Sequence, residues 1–247
     1  MKKIWLILMV ILLNSNVYGL RVELSNDTFS TSGRAANRNL FVTNNSEKMI
    51  ALEVYAQSRV MDPVTGVDEL EDVEDFLIYP NQLLLQPDEQ QVVTLTWVGE
   101  QELQKERPFR IIVEELNLSL GEEDDGADEM TVKVAALTKV VKAAYVSPPE
   151  AKADVKITGT EVVTDEEGEK KIKITFDNVG TAHKILKQTT IKLTPISGGS
   201  EQTSETKEYI PDELNGVLNI LAKSQRIIEI SWPEDISSDY TELNASL

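Results

Sequence analysis

The chain has 247 residues, no cysteine, one histidine and 42 acidic against 24 basic side chains, for a formal net charge of −18. Such an acidic surface opposes binding to polyphosphate, which needs clustered Lys and Arg, so nucleic acid is not expected as a partner. With no disulfides, stability must come from packing, in one large core or two modest ones at roughly 100–150 residues each.

Lys2 and Lys3 precede an uninterrupted apolar run from Ile4 to Leu13, and Val17-Tyr18-Gly19 sets small residues at the spacing a signal peptidase reads. Residues 1–19 therefore read as a signal peptide cleaved after Gly19. Its removal takes away two lysines and no acids, moving the charge from −18 to −20. The apolar run is about half the ~20 residues of a spanning helix, and no Cys is available for acylation. No stable membrane anchor is expected.

Farther on, Asn39–Asn44, Met49–Ala56, Gln91–Trp97 and Phe109–Glu114 are short segments, rich in β-branched and aromatic residues and bounded by Asn, Pro or Gly. They predict strands. After Pro148-Pro149 come Ala153–Thr158, Lys171–Phe176, Thr190–Thr194 and Arg226–Trp232, which alternate apolar with polar or charged residues, as strands with one solvated face do. Asp165-Glu-Glu-Gly168 and Ser197-Gly-Gly-Ser200 read as turns between strands, and Asn178-Val-Gly180-Thr as a tight strand exit. No segment of the mature chain sustains a capped helical period. The prediction is all-β, with two Ig-like antiparallel β-sandwich domains joined by a short hinge at Pro148-Pro149. The domains would span 20–147 and 148–247, about 130 and about 100 residues.

A more specific pattern runs from Phe76-Leu-Ile-Tyr-Pro80 through Gln82-Leu-Leu-Leu-Gln-Pro87 and Gln91–Trp97 to Glu106-Arg-Pro-Phe-Arg110. An aromatic and Pro, a Leu-rich run, a Pro turn, a strand ending at Trp, then Glu-x-x-aromatic-Arg opening the next strand: in this order the pieces resemble the periplasmic chaperones of pilus and fimbria assembly. The resemblance implies a periplasmic, non-enzymatic protein that binds pilin-like subunits and hands them to an outer-membrane usher. It covers the first predicted domain well and the second only in general pattern.

In that family the last strand of the first domain completes an unfinished sandwich in the subunit. Here Gly121–Glu129 is too acidic and too Gly-broken to pack and reads as a mobile loop. The run Met130–Tyr145 follows it. Its parity separates Val132, Val134, Ala136 and Val140 from Lys133, Ala135, Leu137 and Lys139. Taken alone, such a run reads as an ordinary core strand. With the resemblance it reads as the lent strand, Val132, Val134, Ala136 and Val140 facing the client. An exposed apolar edge invites self-pairing, so a homodimer of the free chain is conceivable.

The family also places two basic residues in the interdomain cleft to hold the subunit's C-terminal carboxylate, a job that suits charge-assisted hydrogen bonds. Here the first-strand position falls on Thr28, with Arg21 and Arg34 out of register. Lys142, Lys139 and Arg110 are the remaining candidates for that anchor.

No catalytic residues, cofactor or metal are expected. His183 lies in a polar stretch with no Cys and no Gly-x-Ser-x-Gly elbow to pair with it. The acidic runs Glu69–Asp75 and Glu122–Asp125 lack EF-hand spacing and read as solvated loops, and no Gly-Lys-Ser/Thr phosphate loop occurs. A secreted structural or adhesive Ig-like surface protein is the alternative that shares the export signal and the two sandwiches.

Overall fold

The computed structural model describes residues 19–117, 137–187, 189–210 and 217–247. Ten strands build the first half: β1 (Leu20–Leu24), β2 (Thr28–Ser30), β3 (Asn37–Asn44), β4 (Ile50–Met61), β5 (Asp68–Asp72), β6 (Phe76–Tyr79), β7 (Gln82–Leu85), β8 (Gln90–Trp97), β9 (Arg107–Glu115) and β10 (Lys139–Ser147). They form two sheets, in the orders β1-β3-β8-β6 and β2-β10-β9-β4-β5, with β7 also paired to β4. Nine more follow: β11 (Val155–Thr164), β12 (Lys170–Asn178), β13 (Lys184–Lys187), β14 (Ile191–Ser197), β15 (Ser200–Glu201), β16 (Lys207–Tyr209), β17 (Val217–Ile220), β18 (Ser224–Ser231) and β19 (Glu242–Ser246). Of these, β11-β12-β18 form one sheet, β13-β17 a second, and β14 pairs with β15, β16 and β19 in a third. Every predicted strand outside 118–136 is present. The protein is two Ig-like sandwiches.

Not every pairing is antiparallel. The chain leaves β1, which pairs with β3, and crosses to the opposite sheet, where β2 runs parallel to the end of β10, Thr28 opposite Tyr145 and Ser30 opposite Ser147. One N-terminal segment thus contributes to both sheets. The acidic run Glu69–Asp75 is not a solvated loop either. Its first part belongs to β5, paired with β4 from Gln57 to Met61, and Asp75 holds Arg107 at 3.1 Å.

Each sandwich has its own core, and the alternation of the strands explains it. In β12, Ile172, Ile174, Phe176 and Asn178 point inward, while Lys173, Thr175 and Asp177 between them are only partly buried. The first core centres on the residues of the Phe76–Arg110 pattern. Phe76 meets the rings of Phe29, Trp97 and Phe109 edge-on at 5.1–5.3 Å, and Arg107 lies over Phe109 and Trp97 at 5.1 and 5.5 Å. Such aromatic pairs add ~0.5–1.5 kcal/mol each beyond the area they bury.

Two fully buried asparagines repeat one device in both sandwiches. Asn44, ending β3, donates through Nδ2 to the carbonyls of Lys48, Leu85 and Gln86, and its Oδ1 accepts from Ser46. Asn178, ending β12, donates to Ala182, Ile220 and Leu221 and accepts from the backbone N–H groups of Asp154 and Gly180. Both follow two inward apolar residues at i−4 and i−2, Leu40 and Val42 or Ile174 and Phe176. Gly180 completes the second: a β-carbon there would lie 2.3 Å from the Asp154 nitrogen and 2.4 Å from the Lys152 oxygen. Asn178→Ala would strand several buried backbone groups, each worth about 1–3 kcal/mol, so a loss of about 3 kcal/mol is expected in urea unfolding. A loss below about 1 kcal/mol would show that these bonds are dispensable.

Candidate functional site: an open strand edge beside a basic junction

β10 is paired along one side only for most of its length. Against β9 it runs in register from Lys139 opposite Glu114 to Val146 opposite Arg107. On its other side, among the described residues, β2 joins only at Tyr145–Ser147. The backbone from Lys139 to Ala144 therefore presents an unpaired edge, and β1, an end strand of the opposite sheet, flanks it across an open groove lined by Val22, Leu24, Asp27, Phe41, Lys142 and Ala143.

Of the residues expected to face a client, Val132, Val134 and Ala136 lie outside the described residues, as does the acidic stretch Gly121–Glu129. The strand begins at Lys139, leaving Leu137 and Thr138 before it. Val140 is half-buried against the first core, on the same parity as buried Ala144 and Val146, whereas Val141 is 44% exposed. The described end of the strand thus turns its even positions toward its own sandwich.

The three cations have different surroundings. Lys142 sits in the groove beside β1 and, among the described residues, forms no ion pair. Lys139 is held by the Tyr55 hydroxyl at 3.0 Å and by Glu114 at 3.4 Å. The bond to Tyr55 raises its pKa first, while the Tyr55 hydroxyl bonded to Glu114 lowers that carboxyl. Arg110 gives both Nε (2.9 Å) and Nη2 to Asp68 Oδ2. Thr28, at the position where the family has an arginine, instead offers its carbonyl to Arg38, whose Nε and Nη2 lie 2.9 and 2.6 Å away.

Two sets of contacts join the sandwiches. In the first, Glu106, just 3% exposed, accepts from the His183 backbone N–H at 2.9 Å, from His183 Nδ1 at 2.7 Å and from the Ser147 hydroxyl. His183 stacks on Tyr145 with ring centroids 3.7 Å apart, and Asn219 Nδ2 donates to the Tyr145 hydroxyl at 2.7 Å. His183 is therefore part of this junction and not a free loop side chain. In the second, the tip of the β4–β5 hairpin meets β18: the Ile227 N–H donates to the Pro63 carbonyl at 2.8 Å, and Arg226 Nη1 donates to Asp62 O and Pro63 O, both at 3.0 Å. Gly66 makes this approach feasible. It has φ +72°, and a β-carbon on it would lie 2.7 Å from Arg226 Nη2.

Sequence reasoning selected neither Glu106 nor His183 as joining residues. The Glu of Glu-x-x-Phe-Arg was visible, but its partner lies 77 residues away, and no local spacing links them.

No protein-family model matches the chain, and no curated protein matches it. Solved structures do match. A chain of the complex between the CsuC chaperone and the CsuE tip adhesion subunit of Acinetobacter baumannii Csu pili has TM-score 0.53 at 11% identity, covering 91% of this chain and 96% of that one. The fold is that of the fimbrial chaperones. The complex of the Salmonella enterica SafA pilin with the SafB chaperone gives 0.52 at 11% identity over 87% and 85%. The class 5 fimbriae chaperone CfaA gives 0.51 at 12% over 92% and 99%.

In this chaperone fold the Glu106 cluster should hold the two sandwiches together. Glu106→Ala leaves a ring nitrogen, a backbone N–H and a hydroxyl without their acceptor, and a loss of about 3 kcal/mol is expected in urea unfolding. A change below about 1 kcal/mol would remove it from that role. The hairpin tip is expected to respond to acid. Asp62 accepts from the Thr65 and Val64 N–H groups, and the Thr65 bond above all holds its carboxyl below the usual range. A depressed folded-state pKa contributes stability that is present above the unfolded value and lost as pH falls through the folded one. Protection factors of the Val64 and Thr65 amides should therefore fall on acidification below about pH 4. Constant protection down to about pH 2 would contradict this.

Proposed function

We propose that this protein is a non-enzymatic periplasmic chaperone that stabilises pilin-like subunits by lending them a strand. The observation that supports this best is the unpaired β10 edge from Lys139 to Ala144, flanked by a groove against β1. An incoming strand would gain main-chain hydrogen bonds along that edge, and alternate side chains would fill the client's gap. The shared fold with chaperones solved together with a pilin or a tip adhesion subunit favours the same class of partner.

In this reading the first domain spans 20–147 and the second 148–247, and residues 1–19 direct export to the periplasm. Val132, Val134 and Ala136 present apolar side chains to the subunit. Val140 marks where the strand passes from client to its own core. Lys142, in the groove, is the better-placed anchor for the subunit carboxylate, since Lys139 and Arg110 are engaged by Tyr55, Glu114 and Asp68. Release follows when the next subunit supplies a better-fitting strand, at an outer-membrane usher. Self-pairing of the edge in a homodimer would protect it between clients.

The test is co-purification of the mature chain from a periplasmic extract of its native host, with bound proteins identified by mass. Recovery of small pilin-like subunits near a one-to-one ratio is expected, and Val134→Asp should abolish it with the chaperone still folded. Recovery of the chain alone would favour a structural or adhesive Ig-like protein instead. Unfolding of Val134→Asp would make Val134 a core residue.

A further inference from the structure

The solvent face of the β1-β3-β8-β6 sheet departs from the rest of this acidic surface. Leu40, Val42, Val93 and Leu95 fill the first core, so by alternation Asn39, Phe41, Val92 and Thr94 point outward. In register, Thr94 stands between Asn39 of β3 and Tyr79 of β6, Thr96 between Asn37 and Leu77, and Val92 beside Phe41. No outward position of β3, β8 or β6 carries a charge, although 27% of the chain is charged. On the rim, Arg21 and Glu23 of β1 neutralise each other at 2.6 Å. The opposite sheet differs: its row of Glu53, Glu114 and Lys139 is charged at all three places.

The neutral face is also apolar where it is most exposed. Leu77, Tyr79 and Val92 are 59%, 75% and 43% exposed. Grouped apolar side chains ringed by polar ones mark surfaces that meet a partner. The polar members are Asn, Gln and Thr, and each of these amides and hydroxyls both donates and accepts hydrogen bonds. Some are already fixed in place, since Thr96 Oγ1 donates to Asn37 Oδ1 at 2.6 Å and Gln90 Nε2 to Thr43 Oγ1 at 3.0 Å. Little side-chain freedom is then lost on contact.

Charge selects the occupant. Two chains of formal net charge −18 repel each other, and the cost is least where neither presents a charge. A face made of groups that both donate and accept is complementary to itself, as a two-fold contact requires. We propose that two copies of this chain associate through this face, around an axis near Thr94, with Leu77, Tyr79 and Val92 of each packing on the other. In this sheet β6 lies at the end away from β1, the strand that borders the β10 groove. A contact centred on β8 and β6 therefore leaves the β10 edge free. It is distinct from self-pairing of that edge, and it requires neither a client nor strand lending.

The test is sedimentation equilibrium of the full mature chain without client, from micromolar to near-millimolar concentration, at low and at high ionic strength. A reversible monomer–dimer equilibrium is expected, tighter at high ionic strength because salt screens the repulsion between the two chains. Leu77→Glu should weaken it at least about tenfold, since each copy then brings a like charge to the contact. Thr94→Lys and Thr94→Glu should each weaken it alone, and an equal mixture of the two should restore dimers, a rescue that damage to the monomer would not give. Leu77 and Thr94 are both exposed, so the variants should keep the wild-type unfolding temperature. If one variant fails to fold, the other position carries the test. A monomer at every concentration and salt overturns the proposal. So does a dimer that the Leu77 and Thr94 variants leave unchanged, which would move the contact to another surface such as the β10 edge. Weakening by both Thr94 variants without rescue in the mixture would overturn the position of the axis.

Discussion

A single buried acceptor organises the relation between the sandwiches. Glu106 opens β9 of the first sandwich yet takes two of its donors from His183 of the second, and Ser147 at the end of β10 supplies the third. Burying a carboxyl group costs several kcal/mol unless donors surround it, and here they can do so only while the sandwiches stay docked. The cost of desolvation thereby becomes a preference for one arrangement. The stacking of Tyr145 on His183 and the approach of Arg226 to the hairpin tip depend on that same docking.

Docking leaves the β10 edge outside. The strand's C-terminal end is committed, through Ala144 and Val146 to the core, through Tyr145 to the second sandwich and through β2 to the sheet. Among the described residues, its N-terminal part keeps one side of its backbone unpaired. Folded proteins usually cover or blunt such an edge, because it is a template for adding another strand. An edge kept open beside a groove, on a strand anchored firmly at its far end, fits a protein that offers its edge to a partner.

What could be read from the sequence followed from periodicity. The alternation in Lys171–Phe176 and the β-branched and aromatic content of Gln91–Trp97 predict strands that are present, and Phe76, Trp97 and Phe109 are the centre of the first core, so the motif that carries the resemblance is at bottom a packing signature. What escaped was long-range pairing of polar groups. Nothing near His183 announces Glu106, and nothing near Arg226 announces Pro63, because such partners are set by how the sandwiches dock. The acidic run at Glu69–Asp75 differs from its loop expectation for a related reason: β5 is held by β4, by Arg59 across the hairpin and by Arg110, 42 residues from Asp68, against its own strand propensity. Asn178 was seen only as a turn, although its burial makes it a hub for five backbone groups.

The most direct measurement of strand lending is amide hydrogen exchange along β10, compared between the free chain and its complex with a captured subunit. The account predicts that amides between Lys139 and Ala144 whose N–H groups face away from β9 exchange freely in the uncomplexed monomer and become protected in the complex. Protection confined to other surfaces, with these amides unchanged, would contradict it.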